Sequence, residues 1–138
     1  MDKNEIIDKL SQYFADKPQF DTVLLFGSFA SGKYNEHSDV DIALHFDEQT
    51  LLLNDLLDMQ LELNQILHRE VDLVDLRQCR GLFLHEIMSN NYRIRYDHDT
   101  YHDYLLKSLM FMEDEYPTIH WLQQEKIRRF LGESCNAG

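Results

Sequence analysis

The stretch that most restricts this chain is Gly27-Ser28-Phe29-Ala30-Ser31-Gly32-Lys33-Tyr34-Asn35-Glu36-His37-Ser38-Asp39-Val40-Asp41. A Gly-Ser pair is followed, ten residues later, by Asp-x-Asp. Aspartate is a poor strand former, yet this pair opens an alternating segment over residues 39–46. Val40, Ile42, Leu44 and Phe46 fall on one face, and Asp39 and Asp41 on the other, which is the pattern of a half-buried strand. Carboxylates two apart on a strand lie roughly 6.5 Å apart along the backbone and repel each other. A cation between them removes that cost, and hard oxygen ligands suit Mg²⁺. Gly27 and Ser28 offer backbone N–H groups, a hydroxyl and a flexible turn, which a triphosphate needs. A metal site beside a phosphate cradle implies nucleotide chemistry.

The flanking sequence builds a frame for that segment. Ile6, Ile7, Leu10, Tyr13 and Phe14 have helical spacing over residues 3–15, and Asp16-Lys17-Pro18 stops the helix. Residues 22–26, Thr-Val-Leu-Leu-Phe, read as a strand buried on both faces. The polar residues after Gly27 read as a loop with one helical turn. Leucines dominate a helical pattern over 51–68, and residues 70–76, Glu-Val-Asp-Leu-Val-Asp-Leu, form a third strand. A helix over 80–89 and a short strand over 92–96 come next. Two helices near 99–115 and 117–131 follow, with Pro117 suited to a first helical turn. The tail from Glu133 is expected to fray. The fold class is α/β (α+β): a small mixed sheet backed by helices, with extra C-terminal helices. Five Gly and two Pro leave little room for a linker, so residues 1–138 are read as one domain.

A two-metal site for nucleotidyl transfer expects a third carboxylate from a neighbouring strand. The strand 70–76 offers Asp72 and Asp75 on opposite faces, and periodicity does not choose between them. Asp75 lies near the strand end, where it can meet solvent. Asp72 is mid-strand, where an Asp needs a reason, and it is the favoured candidate.

Lys and Arg number 13 against 25 Asp and Glu, a formal charge of −12. That argues against direct nucleic-acid binding, which relies on basic side chains, and fits a basic protein partner. Cys79 and Cys135 form neither a CxxC nor a disulfide framework, as in a protein kept reduced in the cytoplasm. The polar, acidic start is unlike a signal peptide, and no apolar run reaches the length of a membrane span.

At Leu24-Leu25-Phe26-Gly27-Ser28, Ser38-Asp39-Val40-Asp41 and Val71-Asp72-Leu73-Val74, the chain resembles the minimal nucleotidyltransferase family of the DNA polymerase β-like superfamily. The match spans roughly residues 22–76, the expected catalytic core. Within that family it looks like the stand-alone antitoxins of HEPN–MNT toxin–antitoxin systems. The resemblance implies a polymerase-β-like fold and a Mg²⁺-dependent enzyme. Such an enzyme transfers AMP from ATP to a tyrosine of a partner HEPN ribonuclease toxin encoded nearby. Asp39 and Asp41 would hold two Mg²⁺ ions. Asp72 would bind one of them and help activate the tyrosine hydroxyl, while Gly27 and Ser28 would hold the triphosphate. Many members read Gly-Ser-x-Ala-Arg-Gly, whereas Ser31 stands here in the Arg position. Lys33, two residues on, is the candidate substitute. A small-molecule acceptor such as an aminoglycoside, or a non-catalytic antitoxin acting by binding, are the alternatives.

Other patterns carry less. His98 and His102 share a helix face, but the Glu of a zincin helix is missing, so surface histidines are expected. Arg80 and His85 are read as ordinary helix surface. Tyr101, Tyr104, Leu105, Leu109 and Met112 have helical spacing; core packing is the default and a partner face the alternative.

Overall fold

The computed structural model describes residues 1–46 and 53–114. Helix α1 (Lys3–Phe14) leads into strand β1 (Thr22–Phe26), followed by a single helical turn, α2 (Ser28–Ser31). Strand β2 (Val40–His45), helix α3 (Leu53–Leu67) and strand β3 (Val71–Asp75) come next. A short 3₁₀ turn (Leu76–Gln78), helix α4 (Gly81–Ser89), strand β4 (Asn91–Arg95) and helix α5 (His98–Asp114) complete the described order. The expected helix over 117–131, the tail and Cys135 lie outside these residues.

One mixed sheet has the order β3-β2-β1-β4. β1 runs antiparallel to both its neighbours, and β2 runs parallel to β3 through the α3 crossover. Asp2 caps α1 by accepting the Glu5 N–H at 2.9 Å. The buried stripe of α1 is Ile6, Leu10 and Phe14. With Leu63 and Leu67 of α3 it covers Val23, Leu25, Val40, Ile42 and Leu44 on one face of the sheet. Burial of each such side chain stabilises by about 1.5–3 kcal/mol.

The second face is covered too, which corrects the half-buried reading of β2. Leu24, Phe26 and Ala43 lie under Leu84, Ile87 and Met88 of α4 and Tyr104 of α5. On that face of β2 only Asp41 and His45 remain partly open. The reason is tertiary: helices far along the sequence pack on a surface that the strand's own alternation marks as polar. Of the α5 stripe, Tyr104 is buried and Tyr101 and Leu105 pack against this second core. Leu109 is exposed, together with Leu106 and Met110. Among the described residues no helix is long and apolar enough to cross a membrane.

Side chains close the margins of the sheet. The Val71 N–H donates to Asn64 Oδ1 at 2.7 Å and the Leu73 N–H to Gln60 Oε1 at 3.3 Å, so α3 occupies donors that β3 would otherwise offer to another strand. From β4, the Arg95 guanidinium donates to the carbonyls of Lys17 (2.8 Å), Phe20 (2.9 Å) and Phe14, fastening the end of α1 to the sheet.

Candidate active site

At the end of β1 the backbone of Gly27 takes φ +74° and ψ −147°, a conformation open mainly to glycine. Its carbonyl accepts the N–H groups of Ala30 and Ser31, each at 3.1 Å, and so starts α2. Gly32, at φ +80°, ends that turn. The Ser28 carbonyl then accepts the Lys33 N–H at 3.1 Å and the Ser31 hydroxyl at 3.2 Å.

Phe26 lies opposite Asp41 in the β1–β2 ladder, which brings the next residue, Gly27, against the Asp41 carboxylate. A Cβ added at Gly27 would stand 2.3 Å from Asp41 Oδ2. Glycine is therefore required twice over, by its dihedral angles and by the carboxylate.

Asp41 in turn lies directly opposite Asp72 in the parallel β2–β3 register. Adjacent strands are roughly 4.8 Å apart, so the two side chains stand side by side on one face. Asp39, exposed, immediately precedes β2. Partial burial, then the charge of Asp72, then that of Asp39, pushes the Asp41 carboxyl up to about 6. Asp75 points the other way: its carboxylate accepts from Arg77 at 3.0 and 2.8 Å and from the Arg77 N–H at 3.0 Å. Of the two candidates for the third carboxylate, Asp72 is the one brought to Asp41.

A cleft of about 940 Å³ opens over this pair. Gly27, Ser31 and Lys33 line it on one side, and Phe83, Glu86 and Ser89 of α4, with Asn90 just after it, on another. Ser28 and Asp39 are not among its lining residues, and among the described residues Lys33 is the one cation that is.

The donor set suits a hard divalent cation: three carboxylates, with no nitrogen or sulfur ligand among them. No Lys, Arg or His forms an ion pair with Asp39, Asp41 or Asp72 among the described residues. Nor, among those residues, is any group of three His, Cys, Asp or Glu side chains arranged to hold a metal ion. Asp41 and Asp72 are thus preset as neighbours with uncompensated charge, and Asp39, just ahead of β2, lies near enough for its charge to raise the Asp41 carboxyl further.

Two parts of the site escaped sequence reasoning. One is the α4 wall, whose residues carry no motif. The other is Arg69, just ahead of β3. Its guanidinium donates to the carbonyls of Asn35 (2.8 Å) and Ser38 (2.9 Å) and lies 4.9 Å from the Phe29 ring, itself stacked on Tyr34 at 4.4 Å. It ties the loop that leads into Asp39 to the strand that carries Asp72. An Arg three residues before a strand Asp was the available signal. Arg69→Ala is expected to cost about 1–3 kcal/mol and to free the 33–38 loop. Arg69→Lys recovers only part of this, because an ammonium lacks the planar fork. Hydrogen exchange checks it: faster exchange at the Ser38 amide, which bonds the Asn35 carbonyl at 3.2 Å, with an unaltered core is the expected result, and unaltered loop protection would refute it.

Of the remaining sequence candidates, His85 departs from the expected helix surface, being half-buried with its Nδ1 enclosed and unpartnered among the described residues, and the others stay bland. His98 and His102 stack, with ring centroids 6.0 Å apart, on the exposed side of α5. Arg80 is an exposed residue at the start of α4.

The polymerase beta nucleotidyltransferase family pattern matches residues 8–100. A Methanocaldococcus jannaschii protein provisionally named a protein adenylyltransferase is 37% identical over 71 residues, covering 51% of this chain and 71% of that protein. In fold, the chain is similar to one in a crystal structure of a toxin–antitoxin with AMP-PNP. The TM-score is 0.73 at 20% identity, over 88% of this chain and 98% of that one. It is also similar to a chain of a complex between a tri-AMPylated Shewanella oneidensis HEPN toxin and an MNT antitoxin. There the TM-score is 0.70 at 18% identity, over 91% of this chain and 98% of that one.

Proposed function

The chain belongs to the polymerase beta nucleotidyltransferase family, and from that premise we propose that it is an antitoxin-type protein adenylyltransferase. It moves AMP from ATP to a tyrosine of a HEPN ribonuclease toxin and thereby silences it, in the cytoplasm where that toxin acts. The observation that carries this reading is the Asp41–Asp72 pair, uncompensated, against the Gly27 turn. Relatives named for protein adenylylation and neighbours drawn from toxin–antitoxin complexes support the choice of acceptor.

Asp39, Asp41 and Asp72 would hold Mg²⁺. Bound there, divalent cations supply charge neutralisation for the triphosphate and for the departing pyrophosphate. The Gly27–Ser28 turn, the Ser31 hydroxyl and Lys33 take the phosphate tail, with Lys33 supplying the cationic contact that Ser31 cannot. The tyrosine oxygen forms a bond to the α-phosphorus as the bond from that phosphorus to the pyrophosphate oxygen breaks, and the electron pair leaves with pyrophosphate. The phenolic proton passes to Asp72 and on to water. The protein's share is mostly positioning.

The test is to incubate the chain with ATP, Mg²⁺ and the HEPN protein and weigh the intact partner. A gain of AMP units is expected, absent with the Asp39→Ala, Asp41→Ala double variant. Lys33→Ala is expected to slow transfer by about tenfold to a hundredfold. A stable complex with no added mass would overturn the enzymatic reading and leave binding alone. Transfer to an aminoglycoside in place of the protein would show a small-molecule enzyme.

A further inference from the structure

The cleft has two unlike sides. Phe29 of α2 packs in the first core layer, whereas Leu84 and Ile87 of α4 pack in the second. The Gly27–Lys33 segment and α4 therefore belong to opposite faces of the sheet, and the cleft that Asp41 and Asp72 line is bounded by both. The Gly27 side carries the cation, Lys33; among the described residues the α4 side carries none and adds the negative charge of Glu86. Phosphate is thus attracted to one side and repelled from the other.

On the α4 side stands an exposed ring. Phe83 is 43% accessible, although Leu84 and Ile87 of the same helix are buried. It is held edge-on against Phe26, with centroids 5.9 Å apart, and Phe26 is the residue paired with Asp41. An exposed aromatic ring fixed at the lip of the cleft leaves one face free to stack.

Building on the adenylyltransferase reading, we propose that the α4 side is where the acceptor enters and that Phe83 is the platform for the acceptor tyrosine ring. In-line displacement requires the attacking oxygen to approach opposite the leaving pyrophosphate. With the phosphate tail drawn to Lys33, the attacking side is the one formed by Val74, Phe83 and Glu86. A neutral phenol suits this cation-free, aromatic wall, and ring-on-ring packing selects tyrosine over serine or threonine.

The experiment measures steady-state AMP transfer to the HEPN protein and, separately, equilibrium binding of AMP-PNP, for wild type and Phe83→Ala. The expected result is a KM for the partner raised about three- to tenfold with AMP-PNP affinity unchanged. Phe83→Tyr should restore the KM. Should the Ala variant unfold, Phe83→Leu keeps the contact with Phe26 while removing the ring, and the same rise is expected. A loss of AMP-PNP affinity would overturn the proposal, since the ring would then hold the nucleoside. An unchanged KM would overturn it as well. Failure of the wild-type protein to transfer AMP would sink the underlying reading together with this one, and is seen in the parallel control.

Discussion

Asp41→Asn should make the protein more stable at pH 7 while lowering transfer by at least about a thousandfold. The stability gain follows from the raised carboxyl, about 6 in the fold against an ordinary 3.8. Below about pH 3.8 the group is protonated in both folded and unfolded chains and contributes nothing to the balance. Between 3.8 and 6 the unfolded chain releases a proton that the folded chain retains, so stability falls as pH rises. Above 6 the penalty is complete. One pKa unit is worth about 1.4 kcal/mol, and partial exposure to water reduces the full figure to about 1–2 kcal/mol. The amide removes the charge and with it the penalty. Thermal unfolding of the two proteins at several pH values checks this: the curves should converge near pH 4 and separate above pH 6. Millimolar Mg²⁺ should narrow the gap by stabilising the wild type alone. An Asn variant less stable than wild type at pH 8 would show that the carboxylate is already compensated.

Gly27→Ala is the second large effect, and it runs the other way for stability. The added methyl meets Asp41 Oδ2 at 2.3 Å and forces an L-residue to φ +74°. The dihedral strain alone costs about 1–2 kcal/mol. The clash adds to it, because either the turn or the carboxylate must move. Either movement separates the phosphate turn from the Asp41–Asp72 pair, and transfer should fall below about 1% of wild type. A double-mutant cycle isolates the clash: Asp41→Ala in the Gly27→Ala background should recover part of the lost stability, leaving the dihedral strain. Strict additivity of the two substitutions would disprove the contact.

The element order was legible almost residue by residue, because its signals are local. Pro18 and the apolar spacing of α1, the unbroken Thr22–Phe26 run and the leucines of α3 each mark one element without reference to another. The site was legible as a list of residues but not as an arrangement. Strand periodicity puts Asp72 and Asp75 on opposite faces; only the parallel register of β3 on β2 shows which one meets Asp41. The second meaning of Gly27 needs the Phe26–Asp41 pairing, a contact across strands. The half-buried reading of β2 failed because its cover comes from residues after Gly81. Arg69 works through the carbonyls of Asn35 and Ser38, and backbone acceptors leave no trace in side-chain patterns.

The strand order also sets a timetable. Leu24 pairs with Ala43 on one side and with Arg93 on the other, so β1 gains its second neighbour only when β4 has been made. Synthesis proceeds from the N-terminus. By the time β3 leaves the ribosome, the strands bearing Asp41 and Asp72 are available to pair. The backbone of Thr-Val-Leu-Leu-Phe, fully enclosed in the finished sheet, still has one edge bare. The Arg95 clamp on the end of α1 is absent at that stage too. A nascent chain that has emerged as far as β3, with Asn91–Arg95 still inside the ribosome, would therefore display its carboxylate strands ready to pair and its most buried strand open to whatever edge passes by.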